Sequence, residues 1–382
     1  MGKNKKVKNS YTTFGGGALY EKPQVLIPKL EITKLERDSR KNLMREIFSV
    51  QAESRNTNAM RKFIMNWINE LSDSTIRMYD DKWGNVYVRR GSALTYPCIV
   101  SHIDTVHNII PDKDYAVLDN DVHFFAIDKS ARDNTGIGGD DKCGIYTCLD
   151  NLLIHTDIKI AFFVDEEIGC QGSQVADMAF FDDVSFVLQA DRRGYSDVAS
   201  DICYTEMFGI DFLAKIQDTL NNYHRHITDG GMTDVMQLAH NGLKVAMANF
   251  SCGYYEPHSK WEYVVIDELI LTSILFRDII RVAYIDGEVN EMDREDAYNT
   301  GYYDSKGNGN AWGSYIVSGD SDFTENLSHD GECSVCGCQT SFDYNWNLPY
   351  CNNCMDYDYN PYERFSDGTE DVLKTYDKNE EE

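Results

Sequence analysis

The sequence predicts an α/β fold, a central sheet flanked by helices, followed by a small cysteine module. Three observations carry this. Short apolar runs at 98–104, 158–167 and 184–191 each end in acidic residues. Stretches of helical period lie among them, and two Cys-x-x-Cys pairs stand near the C-terminus.

In chain order, a segment with a Gly triplet (Gly15 to Gly17) and a basic start at residues 3–8 shows no sustained period and reads as a flexible arm over 1–34. Met60, Phe63, Ile64, Trp67, Ile68 and Leu71 recur at helical spacing, so their aromatic stripe is core. Residues 76–90 read as two strands around a turn at 81–85, where Gly84 and Asn85 tolerate positive φ. Between the first two apolar runs, 142–155 is helical, with Ile145, Cys148, Leu149 and Leu152 on one face. A helix over 208–223, a strand over 245–250 and a helix over 267–284 complete a domain spanning 35–286. Residues 287–326 are rich in Gly, Asn, Asp and Tyr and read as an acidic linker, 327–360 as the cysteine module and 361–382 as an acidic tail.

The chain has 382 residues, 42% apolar and 26% charged, which is a globular composition. Its net charge of -27 repels phosphate backbones and argues against nucleic acid as the main partner. No window has the length and apolarity of a membrane span, and no apolar run follows the basic start, so a cytoplasmic protein is expected. Eleven cysteines in such a chain read as reduced thiols and metal thiolates.

Parallel-type sheets carry chemistry at the carboxyl ends of their strands, and five segments place metal-type residues there. In the first, His102 is followed by Asp104; an imidazole can ligate through one nitrogen while a carboxylate fixes the other. The second, Gly138-Gly139-Asp140-Asp141-Lys142, is an acidic turn opening a helix, equally readable as an N-cap. Glu166 and Glu167 end the most apolar strand, where two adjacent acids are costly unless metal or hydrogen bonds satisfy them. Asp191 ends the next strand, and His258 lies in a loop after the last.

Together and in this order, these segments resemble the dizinc metallopeptidase family of peptidase T and carboxypeptidase G, closest to its peptidase T branch. The resemblance covers about 43–283. It implies a mixed central sheet of the phosphorylase/hydrolase-like zinc exopeptidase type. It implies that Asp140 bridges two zinc ions, with His102 and Asp191 completing one site and Glu167 and His258 the other. Asp104 would orient His102, and Glu166 would act as general base toward the metal-bridging water. The ligand set suits zinc and also admits cobalt or manganese. Short peptides are the implied substrates and aminopeptidase the implied activity, with an N-acyl amino acid deacylase or a non-catalytic scaffold as alternatives.

One departure stands out. Peptidase T-type relatives insert a lid domain of roughly a hundred residues between the metal Asp and the final His, whereas only 192–257 are present here. A carbonyl-stabilising donor would then come from the catalytic domain, with His226 first, His224 second and Arg193 third. Separately, Cys333, Cys336, Cys351 and Cys354 have the spacing of a structural zinc ribbon, and Cys338 is an extra thiol. The ribbon's Lys- and Arg-poor flanks favour a protein partner or a stabilising role over nucleic acid.

Overall fold

The computed structural model describes residues 28–203 and 205–292, together with the backbone of Asp330–Glu332 and Gln339–Ser341. Residues 1–27 of the basic arm, the four ribbon cysteines Cys333, Cys336, Cys351 and Cys354, most of the linker and the tail lie outside the described residues.

Helix α1 (Lys34–Phe48) starts at Thr33, whose hydroxyl and backbone amide exchange hydrogen bonds with Glu36 in a capping box. Helix α2 (Asn58–Glu70) buries Met60, Ile64 and Ile68, the stripe expected from the sequence. Strands β1 (Ile76–Asp80) and β2 (Val86–Arg90) form the expected hairpin. Asp81 Oδ1 accepts the amides of Trp83, Gly84 and Asn85 in its turn. Gly84 takes the positive φ of +101°, while Asn85 instead buries its side chain against Val164 and Gly172.

Strands β3 (Tyr96–His102), β7 (Ile158–Phe163), β8 (Val184–Arg192) and β12 (Ala246–Ser251) are the four apolar runs, and they pair in parallel in the order β7-β3-β8-β12. Every β7 residue and every β3 residue is buried, because helices cover both faces of the sheet. On one edge β2 pairs antiparallel with β7. On the other β9 (Asp197–Ile202) pairs antiparallel with β12, and β10 (Thr205–Glu206) and β11 (His226–Gly230) both pair with β9. The central sheet is thus mixed and nine-stranded.

A smaller sheet stands over the carboxyl edge. It contains β4 (Tyr115–Asp119), β5 (His123–Asp128), β6 (Asp133–Thr135), β13 (Tyr254–Tyr255) and β14 (Tyr263–Val265). Helix α3 (Gly139–Ile154) packs on β3 and β8 and against the long α7 (Ile266–Ala283). Short α4 (Gln171–Gln174) follows β7, α5 (Ile210–Asn222) joins β10 to β11, and α6 (Asp234–His240) leads into β12. Asn290 and Met292 are buried and bonded to Ser185 and Lys244, so the packed body reaches Met292, past the expected linker start. Farther on, Asp330–Glu332 (β15) pairs antiparallel with Gln339–Ser341 (β16).

Ile160 is fully buried in β7 between β2 and β3. Ile160→Ala removes packing on one face of the frame that aims the site, and should cost about 2–5 kcal/mol in urea unfolding. A loss under about 1 kcal/mol would mean this part of the core relaxes freely.

Candidate metal centre

The carboxyl ends of β3, β7, β8 and β12 converge, and the five segments meet there. His102, the last residue of β3, is fully buried. Its Nδ1 faces the Asp104 carbonyl oxygen at 3.0 Å, with the Asp104 carboxylate at 3.5 Å, so the near acceptor is backbone. The Asp104 carboxylate has another task as well. It accepts the hydroxyl of Ser54 and the amides of Glu166 and Glu167, fixing the chain that leaves β7.

His102 Nε2 lies 3.1 Å from Asp140 Oδ1, 3.6 Å from Asp191 Oδ1 and 3.9 Å from Glu166 Oε2. His258 Nε2 lies 3.2 Å from Asp140 Oδ2 and 3.1 Å from Glu167 Oε2. Asp140 therefore presents one oxygen to each histidine. The turn before it forces this placement. Gly138 has φ +69°, and a Cβ there would fall 2.6 Å from Thr105 Cγ2. Asp140 and Asp141 depart from helical dihedrals, so their side chains diverge.

Asp141 is also within ligand reach of His102 and Asp191. Its oxygens, however, accept the amides of Gly144 and His102, so it caps the regular part of α3 that follows the non-helical Asp140 and Asp141 and braces β3. The N-cap reading of the acidic pair thus falls on Asp141 and the cluster reading on Asp140.

Residues that sequence patterns did not mark hold the centre in place. Glu262, almost fully buried, accepts the amides of Gly138 and Asp140 and pairs with His107 Nε2 at 2.7 Å. Thr233 and Gln189 donate to Asp191 Oδ2, and the Asn249 side chain exchanges two bonds with the Asp191 backbone. Between Gln189 and Arg192, β8 takes three steps against the two from Asn249 to Ser251, a bulge that re-aims Asp191. A signal existed for two of these: Gln189 and Asn249 are lone polar residues near the carboxyl ends of otherwise apolar runs. Glu262 sits in a loop that carries no pattern.

Electrostatically the centre is acidic. Burial, aided by Asp140, pushes Glu167 up to about 7 and Asp191 up to about 6. Burial raises Asp234 to about 7, and raises Glu166 well above the ordinary carboxylate range. Burial also opposes ionisation of Asp140, but its bonds to His102 and His258 outweigh that and hold it far below its usual value. His258 is pushed up to about 11 by Asp140 and Glu167. Glu167 Oε1 and Asp234 Oδ2 are buried without a hydrogen-bond partner. Two imidazoles cannot balance this many buried carboxylates, and a buried carboxylate oxygen without a hydrogen-bond donor, as at Glu167, is suited to ligate a cation. The donor set, imidazole plus carboxylate with no thiolate, fits a divalent metal of the zinc, cobalt or manganese type.

The three candidate donors fall elsewhere. His226 begins β11, three strands from β8 or roughly 14 Å by strand spacing, and is exposed. His224 is half-buried at the end of α5, and Arg193 is exposed. Among the described residues, none of the three has a hydrogen bond or ion pair with the cluster.

No protein-family model and no curated protein sequence matches the chain. Solved structures do. Aminopeptidase PepT from Bacillus cereus matches at 14% identity and TM-score 0.50, over 65% of this chain and 98% of that one. A tripeptidase from Staphylococcus aureus matches at 13% and 0.52, with the same coverage. A TET aminopeptidase from a marine sediment thaumarchaeon matches at 12% and 0.50, over 66% and 98%. At these identities the likeness establishes a shared fold, a mixed sheet flanked by helices.

Cation binding at this centre should release protons. At pH 7 His258, near 11, holds its proton and Glu167, near 7, about half of one; both must be lost for ligation, so affinity falls as pH falls. Calorimetric titration of chelator-treated protein with zinc, in buffers of different ionisation enthalpy, should show at least one proton released per chain. Zero release would contradict the assignment of His258 and Glu167 as ligands.

Proposed function

We propose that the chain is a metal-dependent peptidase, an aminopeptidase acting on short peptides with two divalent cations, zinc in the first instance. The observation that carries this reading is Asp140 set between two histidines, one oxygen toward each. His102 and Asp191 would hold one cation, His258 and Glu167 the other, and Asp140 both. Such a pair of cations lowers the pKa of water and polarises a carbonyl.

The chain's own residues supply the rest. Glu166 is buried beside His102 but pairs with no histidine at ligand distance, which leaves it to take a proton and pass it on. Burial raises its proton affinity toward the operating range of a general base. Cys170 Sγ lies 3.4 Å from Glu166 Oε1, and the amide of Glu166 is tied to Asp104, so the carboxylate is positioned from two sides. Asp104 also sets the tautomer of His102 through its carbonyl, keeping Nε2 free to ligate. A scaffold without catalysis has no use for a buried, cation-free Glu166. The peptide substrate class is supported by the solved neighbours, described as aminopeptidases and a tripeptidase.

Further parts of the reading rest on sequence. The segment 192–257 is spent on β9 to β12 and the helices between them, which supports a site without a lid domain. Arg193, two residues past Asp191, is the carbonyl-stabilising candidate nearest in the chain; His224 and His226 would have to act from another copy. Cys333, Cys336, Cys351 and Cys354 would hold a structural zinc and present a surface for a protein partner. The pairing of β15 with β16 around the first cysteine pair supports such a knuckle.

The test separates base from ligand. Glu166→Gln should keep both cations by elemental analysis and lose about 10²–10⁴ in kcat on di- and tripeptides. Glu167→Gln should lose cation content as well. Exchanged phenotypes would reverse the two roles, and hydrolysis of N-acyl amino acids but not of free peptides would favour the deacylase.

A further inference from the structure

A cavity adjoins the centre, on the β2 side of β7. It measures about 280 Å³ and is lined by Arg55, Arg61, Lys82, Trp83, Val164 and Asp165, among others. Val164 and Asp165 are the two residues before Glu166, so one turn of chain divides the cavity from the catalytic carboxylate. The opposite wall is divided the same way. Ser54 bonds to Asp104 beneath the centre, while Arg55, the next residue, lines the cavity.

Its charge is unlike the rest of the molecule. Three cationic side chains line it, in a chain of net charge -27. Arg61 is engaged by Asp80 and Asn58, and Lys82 Nζ lies over the Trp83 ring at 5.1 Å. The Arg55 guanidinium, which is exposed, has no hydrogen-bond or ion-pair partner among the described residues. Asp165 is the one acid in the lining, and its Oδ1 is occupied by the amide of Arg55 at 2.6 Å. The lining thus carries three cations against the single carboxylate of Asp165, and with Arg61 paired to Asp80 the Arg55 guanidinium is the donor left open.

The geometry points to a subsite for a carboxylate of the substrate, placed two to three residues beyond the bond that is cut. This rests on the peptidase reading above. The volume is at the small end of ligand sites, which start near about 300 Å³, and admits one residue rather than a whole peptide. The distance agrees. From the β2–β7 junction to the middle of the centre is about two strand spacings, roughly 10 Å, which about three extended residues span. Arginine suits the group, because its planar fork matches a carboxylate with two parallel hydrogen bonds. The carboxylate could be the peptide's C-terminus or an acidic side chain, and the surrounding negative charge repels either one except at this cavity.

The test uses the full chain, with Arg55→Gln and Lys82→Gln, two exposed positions whose replacement removes no core packing. Substrates are Ala-Ala-Ala as free acid, its C-terminal amide, and Ala-Ala-Glu amide. The free acid should have a KM about tenfold below the amide's, and each variant should erase most of that difference while leaving kcat and the amide's KM within about twofold. A low KM for Ala-Ala-Glu amide identifies a side-chain carboxylate as accepted; a high one restricts the subsite to the C-terminus. Equal KM for acid and amide, or a variant effect on all three alike, overturns the proposal. If no peptide is hydrolysed, the same peptides are titrated against Trp83 emission, with Trp83→Phe as background. Arg55-dependent preference for the acid then sustains the subsite while the peptidase reading falls, and equal binding overturns the subsite.

Discussion

Buried carboxylates with too little positive charge around them are the constraint on which this structure turns. Asp140, Asp141, Glu166, Glu167, Asp191 and Asp234 all sit at the carboxyl edge of four parallel strands, and burial disfavours the charged form of each, a penalty outweighed only at Asp140 by its bonds to His102 and His258. His102 and His258 are the cluster's own cationic partners. Lys142, also buried, points away toward the carbonyls of Phe48 and Ile137. Breaking one partner from a buried pair typically costs about 3–5 kcal/mol, so a fold that leaves such groups together in excess is one that a multivalent cation completes.

The architecture spends backbone hydrogen bonds to hold this arrangement. Asp141 takes the Gly144 amide of α3 and the His102 amide of β3, leaving Asp140 free to face inward. Glu262 reaches across from the loop before β14 to fix the amides of Gly138 and Asp140, and Asp104 does the same for Glu166 and Glu167. In each case an acid outside the ligand set is satisfied by amides, and the turn it holds delivers the acid that is not. The small sheet and the central sheet are therefore coupled at the centre: β14 positions Glu262, β7 positions the glutamates, and Asp140 lies between them.

Much of this was legible in the sequence where one physical signal dominated. The strands that lead to His102, Glu167 and Asp191 are continuous apolar runs because both faces are buried, and α2, α5 and α7 show a helical period, whereas α3 is buried nearly all round. The turn at 81–85 was readable from Gly84 and Asn85, of which only Gly84 takes a positive φ. The small sheet was not, since Tyr115–Asp119 and Asp133–Thr135 are half-buried and mix acids with apolar residues. Edge strand β11, His-Ile-Thr-Asp-Gly, reads as a loop and was expected to supply a donor near the centre. Its pairing with β9 carries it to the sheet margin instead. The division of labour between Asp140 and Asp141 rests on two non-helical residues after a left-handed glycine, and adjacent identical side chains give the sequence no means of telling them apart. Supporting residues such as Ser54, Thr233 and Glu262 act through single long-range contacts, which leave no periodic trace.

The central claim is that Asp140 joins two cation sites, one with His102 and Asp191 and one with Glu167 and His258. Anomalous diffraction at the zinc edge, from crystals grown with zinc, tests it most directly. The account predicts two peaks about 3.5–4 Å apart, each at about 2.0–2.2 Å from one Asp140 oxygen. A single peak, or a pair bridged by Asp141 with Asp140 turned away, would contradict it.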